Sequence, residues 1–543
     1  MRLVSTSESL VGSRRTAGGA PPLLVAFGLL SAALFAVPFV YLLWRNLQHG
    51  GRFVDVISTL DTWRPIGRSL LLASVVTALA STVGTYLAWV VMRTDVPFAR
   101  ALRLLAPLPL VLPSFVAGAA LLAAFAPGGL VEEFLSPLGV DRVPSVRGFW
   151  GSVLALTVIS YPYVFLPVAA RIRQLPGSLE EAALLLGSSP RATFVRVVLP
   201  QISSSIRAGA LLVMLYALSD FGVVALMGYP TVTVRMFSSW LASPEVAFAL
   251  GLVLGLVALG LVVAERVTSG GASPRDQTRA SGSIRVRLGR WRWPAFLVAL
   301  AMAFLSTVGP VSVLGWWAWR GAVNRSAGFT GGDGLGGFWD PTWHTLTVAV
   351  LTGAVAVVIV VPLAVLTGRY RSRVALPAMG LLVAGFALPG LVVALSVVFM
   401  ALRIGPLGWL YQTMPLLVFA YVVHFGAQAF RTAEIGVAAA DRQLDEAART
   451  LGAGAIRRFL RVELPVMAPV LSAGGGLVML STMKELPATL LAAPIGFDTL
   501  ATRVWSATED GFLADAALAS LILLAVSGVL TWLLVIRRSE HLA

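Results

Sequence analysis

The sequence contains no cysteine, a single lysine and few charged residues of either sign. Without cysteine, neither a disulfide framework nor a thiolate metal site can form. The one lysine, Lys484, does not stand in a Gly-x-x-x-x-Gly-Lys-Ser/Thr motif, which excludes a phosphate-binding loop of that type. Charged residues make up 12% of the chain. Because soluble domains carry about 25%, a soluble globular fold is also excluded.

Hydrophobic residues, in contrast, make up 57% of the 543 residues, and the mean hydropathy is +0.84. Lysine and arginine together exceed aspartate and glutamate by 41 to 26, a balance that could indicate a nucleic acid partner. The arginines are mostly clustered in short loops between apolar runs, however, which fits the positive-inside rule of membrane proteins better. We therefore expect an integral membrane protein that contacts the lipid bilayer and binds no nucleic acid.

Apolar runs of the length that crosses a bilayer, roughly 20 residues, recur along the whole chain. They predict an all-α polytopic membrane protein with about twelve transmembrane helices. A cleaved signal peptide is the competing interpretation of the first run, but that run is long and no small-x-small cleavage site follows it. The runs are about 22–44, 68–92, 104–126, 149–170, 206–227, 246–264, 294–318, 343–367, 375–402, 409–430, 470–492 and 512–536.

The distribution of arginine predicts which loops face the cytoplasm. With both termini cytoplasmic, that side receives Arg93, Arg100, Arg103, Arg369, Arg371, Arg373, Arg537 and Arg538. Three further arginines, Arg45, Arg52 and Arg64, fall on the outer side, so the rule holds as a bias. The repeated segments described next also carry arginine and also fall on the cytoplasmic side.

One polar segment between apolar runs occurs twice. The first copy, residues 181–200, begins Glu-Ala-Ala, has a glycine six positions after the glutamate and closes on Leu-Pro; the second, residues 446–465, follows at a constant offset of 265. The two copies share 10 of 20 residues. Farther upstream, Leu112-Pro113 matches Leu388-Pro389 at an offset of 276, so the first half carries 11 extra residues, which we place in the outward segment 128–147. The repeat predicts two similar halves.

The repeat divides the chain into three parts. A first half covers 1–264, a Ser/Gly/Arg-rich cytoplasmic linker covers 265–293, and a second half covers 294–543. The linker composition is typical of a flexible join. Binding of anionic lipid by its arginines is an alternative, although basic linkers are common topology signals.

Each repeated segment predicts an elbow, a name used below for 181–200 and 446–465. Glu-Ala-Ala favours a short helix, the glycine permits a break, and a second short amphipathic helix follows that Leu-Pro ends. Phe194 and Phe459 are placed to anchor the elbows to membrane helices. The alternative is a passive connecting loop, which would not need the repetition at fixed spacing.

The elbows resemble the Glu-Ala-Ala loop of binding-protein-dependent ABC importer permeases of the type I fold. The resemblance implies the type I ABC importer transmembrane fold, a bacterial plasma membrane location and docking to two copies of a cytoplasmic ATPase subunit. ATP and magnesium would bind to that subunit, so this chain would be no enzyme and hold no cofactor, and an extracytoplasmic binding protein would deliver the substrate. By resemblance the docking residues are Glu181, Ala182, Ala183, Gly187, Glu446, Ala447, Ala448 and Gly452, with each glutamate facing a basic residue of the ATPase.

The fusion of two permease units in one chain resembles the ferric-iron importer subfamily. Residues 219–228 are similar to the first-half signature of that group, and residues 484–490 with 496–502 are similar to its second-half signature. Thiamine and polyamine permeases share the fold, and the thiamine type is also fused. The resemblance therefore implies ferric iron, with thiamine or a polyamine as alternatives.

Ionisable residues within the predicted membrane helices mark a candidate translocation path. Asp220 is predicted toward the outer end of its helix, and the offset of 265 leads to Glu485, beside Lys484. Tyr216 and Ser481 lie four residues before the two carboxylates, on the same predicted helix faces. Oxygen groups suit Fe³⁺, a hard cation, but a conducting path should bind it weakly, so we expect no tight metal site. A structural pairing of Lys484 with one of the carboxylates is the alternative to substrate contact.

Two rival classes remain. An ion-coupled secondary transporter of about twelve helices would need no ATPase and no repeated elbow. A non-transporting scaffold or receptor would bind partners without moving a solute. The paired elbows and the paired carboxylates argue against both.

Overall fold

The computed structural model describes residues 21–48, 50–139, 143–268, 286–323, 334–370, 388–440, 442–531 and 533. Several predictions fall outside these residues. They are the N-terminal tail up to residue 20, most of the linker, the first part of span 375–402, and Arg371, Arg373, Arg537 and Arg538.

Within the described residues the regular structure is helical, apart from an isolated parallel β-bridge between Thr94 and Val286. In the first half, α1 to α14 are, in order, Pro22–Gln48, Gly50–Ser58, Leu60–Arg93, Ala99–Leu105, Ser114–Ala124, Leu130–Leu135, Phe149–Ser160, Pro162–Gln174, Gly177–Leu185, Pro190–Thr193, Leu199–Ser219, Gly222–Leu226, Val232–Ser239 and Pro244–Thr268. In the second half, α15 to α25 are Arg292–Ala303, Gly309–Val323, Trp339–Arg369, Gly390–Arg403, Met414–Ala439, Arg442–Thr450, Ala455–Arg458, Leu464–Met483, Pro487–Ala492, Leu500–Glu509 and Leu513–Thr531.

Ten helices of the described chain are long and apolar enough to cross a bilayer, and a bent pair would make an eleventh. The predicted span at 104–126 is not one straight helix, because Ala99–Val111 and Ser114–Ala124 meet at 99°. Pro107, Pro109 and Pro113 cause the break, since proline lacks the amide donor and pushes the preceding residue out of helical geometry. Of the predicted span 375–402, the structure describes only α18.

Two further predicted spans end earlier than the apolar pattern indicates. The first, 206–227, is broken at Asp220, which has an extended backbone between α11 and α12. The second, 470–492, is broken at the equivalent place, between α22 and α23. Each half therefore has a long helix that stops inside the apolar region and a short helix that resumes after the break.

The two halves are interlocked. Helices α3, α8 and α11 pack against one another, as do their counterparts α17, α19 and α22. Helix α1 leaves its own half and lies along α17, where the Ser31 hydroxyl donates to the carbonyl of Ile359 at 2.5 Å. In return α16 packs on α5, with the Trp317 indole donating to the carbonyl of Ala123 at 2.9 Å. The first helices of each half thus complete the other half.

The end of the linker returns to the first half. The amide of Val286 donates to the carbonyl of Arg93 at 2.7 Å, and that of Leu288 donates to Asp95 Oδ1 at 2.8 Å. From there Gly289–Val323 and Gly336–Arg369 are each long enough to cross the bilayer. Two crossings bring Arg369 back to the side on which Arg93 lies. Because Arg93 pairs with Glu180, directly before the first elbow, and Arg369 pairs with Glu463 in the second elbow, both elbows lie on one side.

Two glycines at equivalent positions of the repeat allow close helix packing. A Cβ on Gly209 would lie 2.7 Å from Val164 Cα, and one on Gly474 would lie 1.9 Å from Thr432 Oγ1 and 3.5 Å from Ala429 Cα. Val164 and Ala429 are themselves related by the offset of 265, as are the glycines. The same backbone approach, of α11 to α8 and of α22 to α19, therefore occurs in both halves.

We expect Gly209→Leu and Gly474→Leu to destabilise the protein, because overpacking a tight helix contact costs typically ~1–3 kcal/mol. Purification in detergent should yield less monodisperse protein, with a lower Tm. Gly260→Leu is the matched control, since nothing lies within 4 Å of its added Cβ. Equal Tm values for all three variants would contradict the packing.

Candidate functional site

The first elbow begins with α9 and turns sharply at its glycine. The amide of Ser188 donates to the carbonyl of Ala183 and that of Gly187 to Leu184, both at 3.0 Å. This pair of bonds is a Schellman cap, which needs a left-handed residue after the helix. Gly187 supplies it with φ +83°, where a side chain would be strained.

The second elbow repeats this geometry. The amide of Ala453 donates to Ala448 at 3.1 Å and that of Gly452 donates to Arg449 at 3.0 Å, with φ +79° at the glycine. The helix followed by a glycine break was therefore predicted correctly for both elbows. The second alanine of each Glu-Ala-Ala motif stabilises the turn, because its carbonyl accepts the hydrogen bond that closes the longer of the two loops of the cap, from Ser188 or Ala453.

The motif residues have the same accessibility in both copies. One alanine of each elbow is half-buried, while the glutamate, the other alanine and the glycine face outward. The half-buried residues are Ala183 and Ala448; the exposed ones are Glu181, Ala182, Gly187, Glu446, Ala447 and Gly452. Next to each glycine, a leucine points outward with 87% of its surface exposed, Leu186 in the first copy and Leu451 in the second. The two elbows therefore present matching solvent-exposed surfaces.

The prediction that Leu-Pro ends each elbow is wrong. In the first copy a π-helical turn, Phe194–Val198, leads directly into α11, which begins at Leu199. Pro200 lies in the first turn of α11, where proline is tolerated because the amide there has no helical acceptor. Each elbow is thus continuous with a membrane helix.

The aromatic residue after each glycine packs inward, as predicted. The ring of Phe194 meets that of Trp89 on α3 edge-on, with centroids 5.5 Å apart. Phe459 in the second copy packs on the main buried core. These contacts fasten the elbows to the membrane helices.

A cavity of about 910 Å³ lies between the two halves. All five residues of the predicted translocation path line it: Tyr216, Asp220, Ser481, Lys484 and Glu485. Two prolines at equivalent positions, Pro113 and Pro389, also line this space. Residues that are far apart in the sequence therefore meet in one chamber.

The two carboxylates occupy the helix breaks and make equivalent hydrogen bonds. Asp220 Oδ1 accepts from the amide of Val223 at 3.0 Å, and Glu485 Oε1 accepts from that of Ala488 at 3.3 Å. Each carboxylate caps the short helix that follows it. The prediction that they sit within the helices of Tyr216 and Ser481 is wrong, because those helices end before them.

Lys484 does not pair with either carboxylate among the described residues. Its ammonium donates to the carbonyl of Leu110, at 2.9 Å, and no oxygen of Asp220 or Glu485 lies within ion-pair distance. Leu110 belongs to the bent segment of the first half. The lysine thus joins the second half to a backbone group that a proline break has left free.

The two walls of the cavity differ in chemistry. On the first-half side, the Tyr163 ring lies against that of Tyr216 at 5.5 Å, and Ser114 lies against Asp220. The equivalent second-half positions hold Gln428, Ser481 and Gly390. There the Ser481 hydroxyl donates to Gln428 Oε1 at 3.0 Å.

Gly390 lets two polar groups approach the second-half wall. A Cβ at this glycine would lie 2.7 Å from Glu485 Oε1 and 3.1 Å from His424 Nε2. Within the described residues, no group of three or more His, Cys, Asp or Glu side chains could hold a metal ion.

Sequence reasoning missed several residues of these sites. Tyr163 and Gln428 line the cavity and are related by the offset of 265; Arg93 and Arg369, which contact the elbows, are related by the offset of 276. The offsets alone could have identified both pairs. What they could not show is that these residues face the cavity and the elbows.

The structure thus has two interlocked, repeated helical halves, an exposed elbow on each and, between the halves, a cavity lined by one carboxylate from each half. These features define the membrane-spanning subunit of a binding-protein-dependent transporter. The chain belongs to the family of binding-protein-dependent transport system inner membrane components, whose pattern matches residues 80–263 and again 360–538. Each match contains one elbow and one of the cavity carboxylates. The type I ABC importer fold and the multi-pass inner membrane location follow from this membership.

Among curated relatives, the chain is 28% identical over 522 residues to the Fe(3+)-transport system permease protein FbpB 2 of Haemophilus influenzae, covering 95% of this chain and 98% of the relative. It is 26% identical over 510 residues to the probable ABC transporter permease protein y4fN of Sinorhizobium fredii, covering 86% of each. The molybdenum transport system permease protein ModB of Mycobacterium bovis is 33% identical over 223 residues, 39% of this chain and 81% of the relative. The fused, two-half arrangement is thus shared with full-length relatives.

We expect a cysteine at Ser481 to react readily with a charged, membrane-impermeant thiol reagent, because Ser481 lines the cavity between the halves together with Lys484 and Glu485. The natural chain has no cysteine, so no background labelling arises. Ser152→Cys is the matched control, since Ser152 is 0% exposed and does not line the cavity. Mass spectrometry of the labelled protein measures both rates; equal rates would contradict a water-filled cavity.

Proposed function

We propose that this permease subunit imports ferric iron, which an extracytoplasmic binding protein delivers, and that a separate ATPase powers the transport. The observation that carries the proposal is the cavity between the halves, with one carboxylate from each half facing it. The relative named for Fe(3+) transport supports the cargo, because the similarity extends over almost the whole of both chains.

The chemistry of the cavity favours a hard cation. Asp220 and Glu485 offer carboxylate oxygens, and Tyr216 and Ser481 offer hydroxyl oxygens, the ligand type that Fe³⁺ prefers. A conducting path must bind its substrate weakly enough to release it. Iron would therefore be a transient substrate here.

The elbows would be received by two copies of a cytoplasmic ABC ATPase subunit, one elbow each. Their exposed glutamates, Glu181 and Glu446, would face basic residues of that partner, and the adjoining alanines would permit close approach. ATP and magnesium would bind to the partner, so this chain would contribute no catalytic residue. The matching exposure of the two motifs supports equivalent docking.

Transport would proceed through two states of the pair of halves. ATP binding closes the ATPase dimer and draws the elbows together, and the halves rock so that the cavity opens toward the binding protein. Hydrolysis then returns the cavity to the cytoplasm. Coupling of this kind needs an element with two arrangements that both sites bias, and the interlocked halves supply it.

Other transported solutes and another class of transporter can be distinguished from the proposal. Thiamine and polyamine permeases are alternatives, and a polyamine would also suit two carboxylates. The relative named for molybdenum transport aligns with less than half of the chain. An ion-coupled secondary transporter would move its solute without any ATPase, whereas the family is defined by binding-protein-dependent transport.

We expect cells that lose this chain to lose uptake of radioactive ferric iron supplied with the binding protein, while thiamine and spermidine uptake persists. Asp220→Asn and Glu485→Gln should each lower iron uptake by about tenfold, equivalent to roughly 1.4 kcal/mol. The amide oxygens preserve the helix caps and remove only the charge. Glu434→Gln, at an exposed surface ion pair, should import iron normally. If iron uptake is the same with and without this chain, the iron proposal is refuted.

We expect Gly187→Trp and Gly452→Trp to abolish co-purification of the ATPase and transport together. Each substitution strains a left-handed position and places a large ring on the docking surface. Gly139→Trp is the control, because Gly139 has φ +80° with nothing within 4 Å of its Cβ but lies in a distant loop. Retained ATPase with both elbow variants would refute docking at this surface.

A further inference from the structure

Arg93, at the cytoplasmic end of α3, is the largest fully buried side chain of the described structure, with 1% of its surface exposed. Arginine is almost never buried to this degree unless its charge is paired. One guanidinium nitrogen lies 2.8 Å from Glu180 Oε1, and the Glu180 side chain is 9% exposed. Glu180 belongs to α9, the helix that begins the first elbow.

Three chain segments meet at Arg93. The same guanidinium nitrogen faces the carbonyl of Leu175 at 3.4 Å, in the joint between α8 and α9. The backbone carbonyl of Arg93 accepts from Val286 at the end of the linker. The arginine therefore lies where the elbow leaves the membrane helices and where the second half begins.

The second half contains a similar ion pair, in which the carboxylate comes from a different position of the repeat. Arg369, which corresponds to Arg93 at the offset of 276, ends α17 and forms an ion pair with Glu463; their side chains are 13% and 10% exposed. Glu463 lies at the end of the second elbow, where it joins α22. The residue equivalent to Glu180, Asp445, pairs instead with Arg458 at 2.7 Å. Both halves thus connect an arginine at a helix end, fully buried in the first half and mostly buried in the second, to a carboxylate in or directly beside an elbow. The two carboxylates do not stand at equivalent positions of the repeat.

Buried ion pairs of this kind add little net stability. Desolvation offsets most of the attraction, whereas removing one partner leaves an unpaired buried charge. Burial raises the pKa of the Glu180 carboxyl and the Arg93 guanidinium opposes that shift. The ionised contact at the elbow accordingly depends on the arginine.

The helices that carry these arginines are also the ones that support the cavity. Helix α3 packs against α8 and α11, which carry Tyr163 and Tyr216. Helix α17 packs against α19 and α22, which carry Gln428 and Ser481. A displacement of α3 or α17 therefore has a direct packing route to the cavity walls.

We propose that Arg93–Glu180 and Arg369–Glu463 are two coupling latches, which make each elbow move as one body with α3 or α17 and so transmit elbow motion to the cavity. These four are positioning residues, since none of them lines the cavity. The inference rests on the proposed docking of the elbows and is independent of which solute is carried.

The test uses the full chain, with spin labels on cysteines introduced at the exposed elbow positions Leu186 and Leu451. The chain has no natural cysteine, so the two labels are unique. In Arg93→Met/Glu180→Leu, two apolar side chains of similar size replace the pair and leave no buried charge. We expect a normal protein yield and a clearly broadened distribution of label-to-label distances. Uptake of radioactive ferric iron should fall by about tenfold.

The control variant is Arg431→Met/Glu434→Leu, which removes an exposed pair at 3.2 Å with the same chemical change. It should keep the narrow distance distribution and normal uptake. If Arg93→Met/Glu180→Leu fails to accumulate, Arg93→Lys keeps the charge without the forked geometry of arginine, and it should also broaden the distances.

An unchanged distance distribution in a folded latch variant would overturn the inference, whatever the uptake. A purely structural role would lower yield or Tm and leave the distances of the surviving protein narrow. Failure of the proposed function has a different signature: the wild-type chain would import no iron, while the distances would still respond to loss of the latch.

Discussion

The constraint on which this structure depends is that backbone polar groups in a bilayer must be satisfied within the protein. Continuous helices meet it automatically, but this chain interrupts its helices inside the apolar region. At two of the breaks a carboxylate, Asp220 or Glu485, accepts an amide of the next short helix. At a third, Lys484 donates to the free carbonyl of Leu110. The polar groups that permit the breaks are also ones that line the cavity.

The halves resemble each other in architecture more than in chemistry. Gly209 and Gly474 produce the same helix contact, and Gly187 and Gly452 the same turn. The cavity walls and the ion pairs at the elbows, however, use different residues at equivalent positions. A fused chain is free to diverge in this way, because each half always meets the other half and never a copy of itself. The two walls of the cavity are therefore unlike, while the two elbows present similar exposed surfaces.

A feature of this structure could be predicted from the sequence when it depends on residues close together in the chain or related by the repeat offset. The elbow turn was predictable because a Schellman cap needs only a glycine after a short helix, as at Gly187. The paired carboxylates were predictable because the offset maps Asp220 onto Glu485. The bent span near Pro109 was missed because hydropathy counts residues without regard to direction. The Arg93–Glu180 pair was missed because the repeat offset does not relate the two carboxylates. Arg369 pairs with Glu463, and the residue equivalent to Glu180 is Asp445.

The sequence by itself determined the class of the molecule: its apolar runs require membrane helices, and its repeated segment requires two halves with one elbow each. Both are local or periodic properties, which the chain carries wherever it folds. Only the tertiary structure decided that α1 and α16 cross into the opposite halves, that Lys484 binds a carbonyl 374 residues away, and that Arg93 is buried at an elbow. These contacts depend on how twice-repeated helices pack together, and many pairings would satisfy the same hydrophobic pattern.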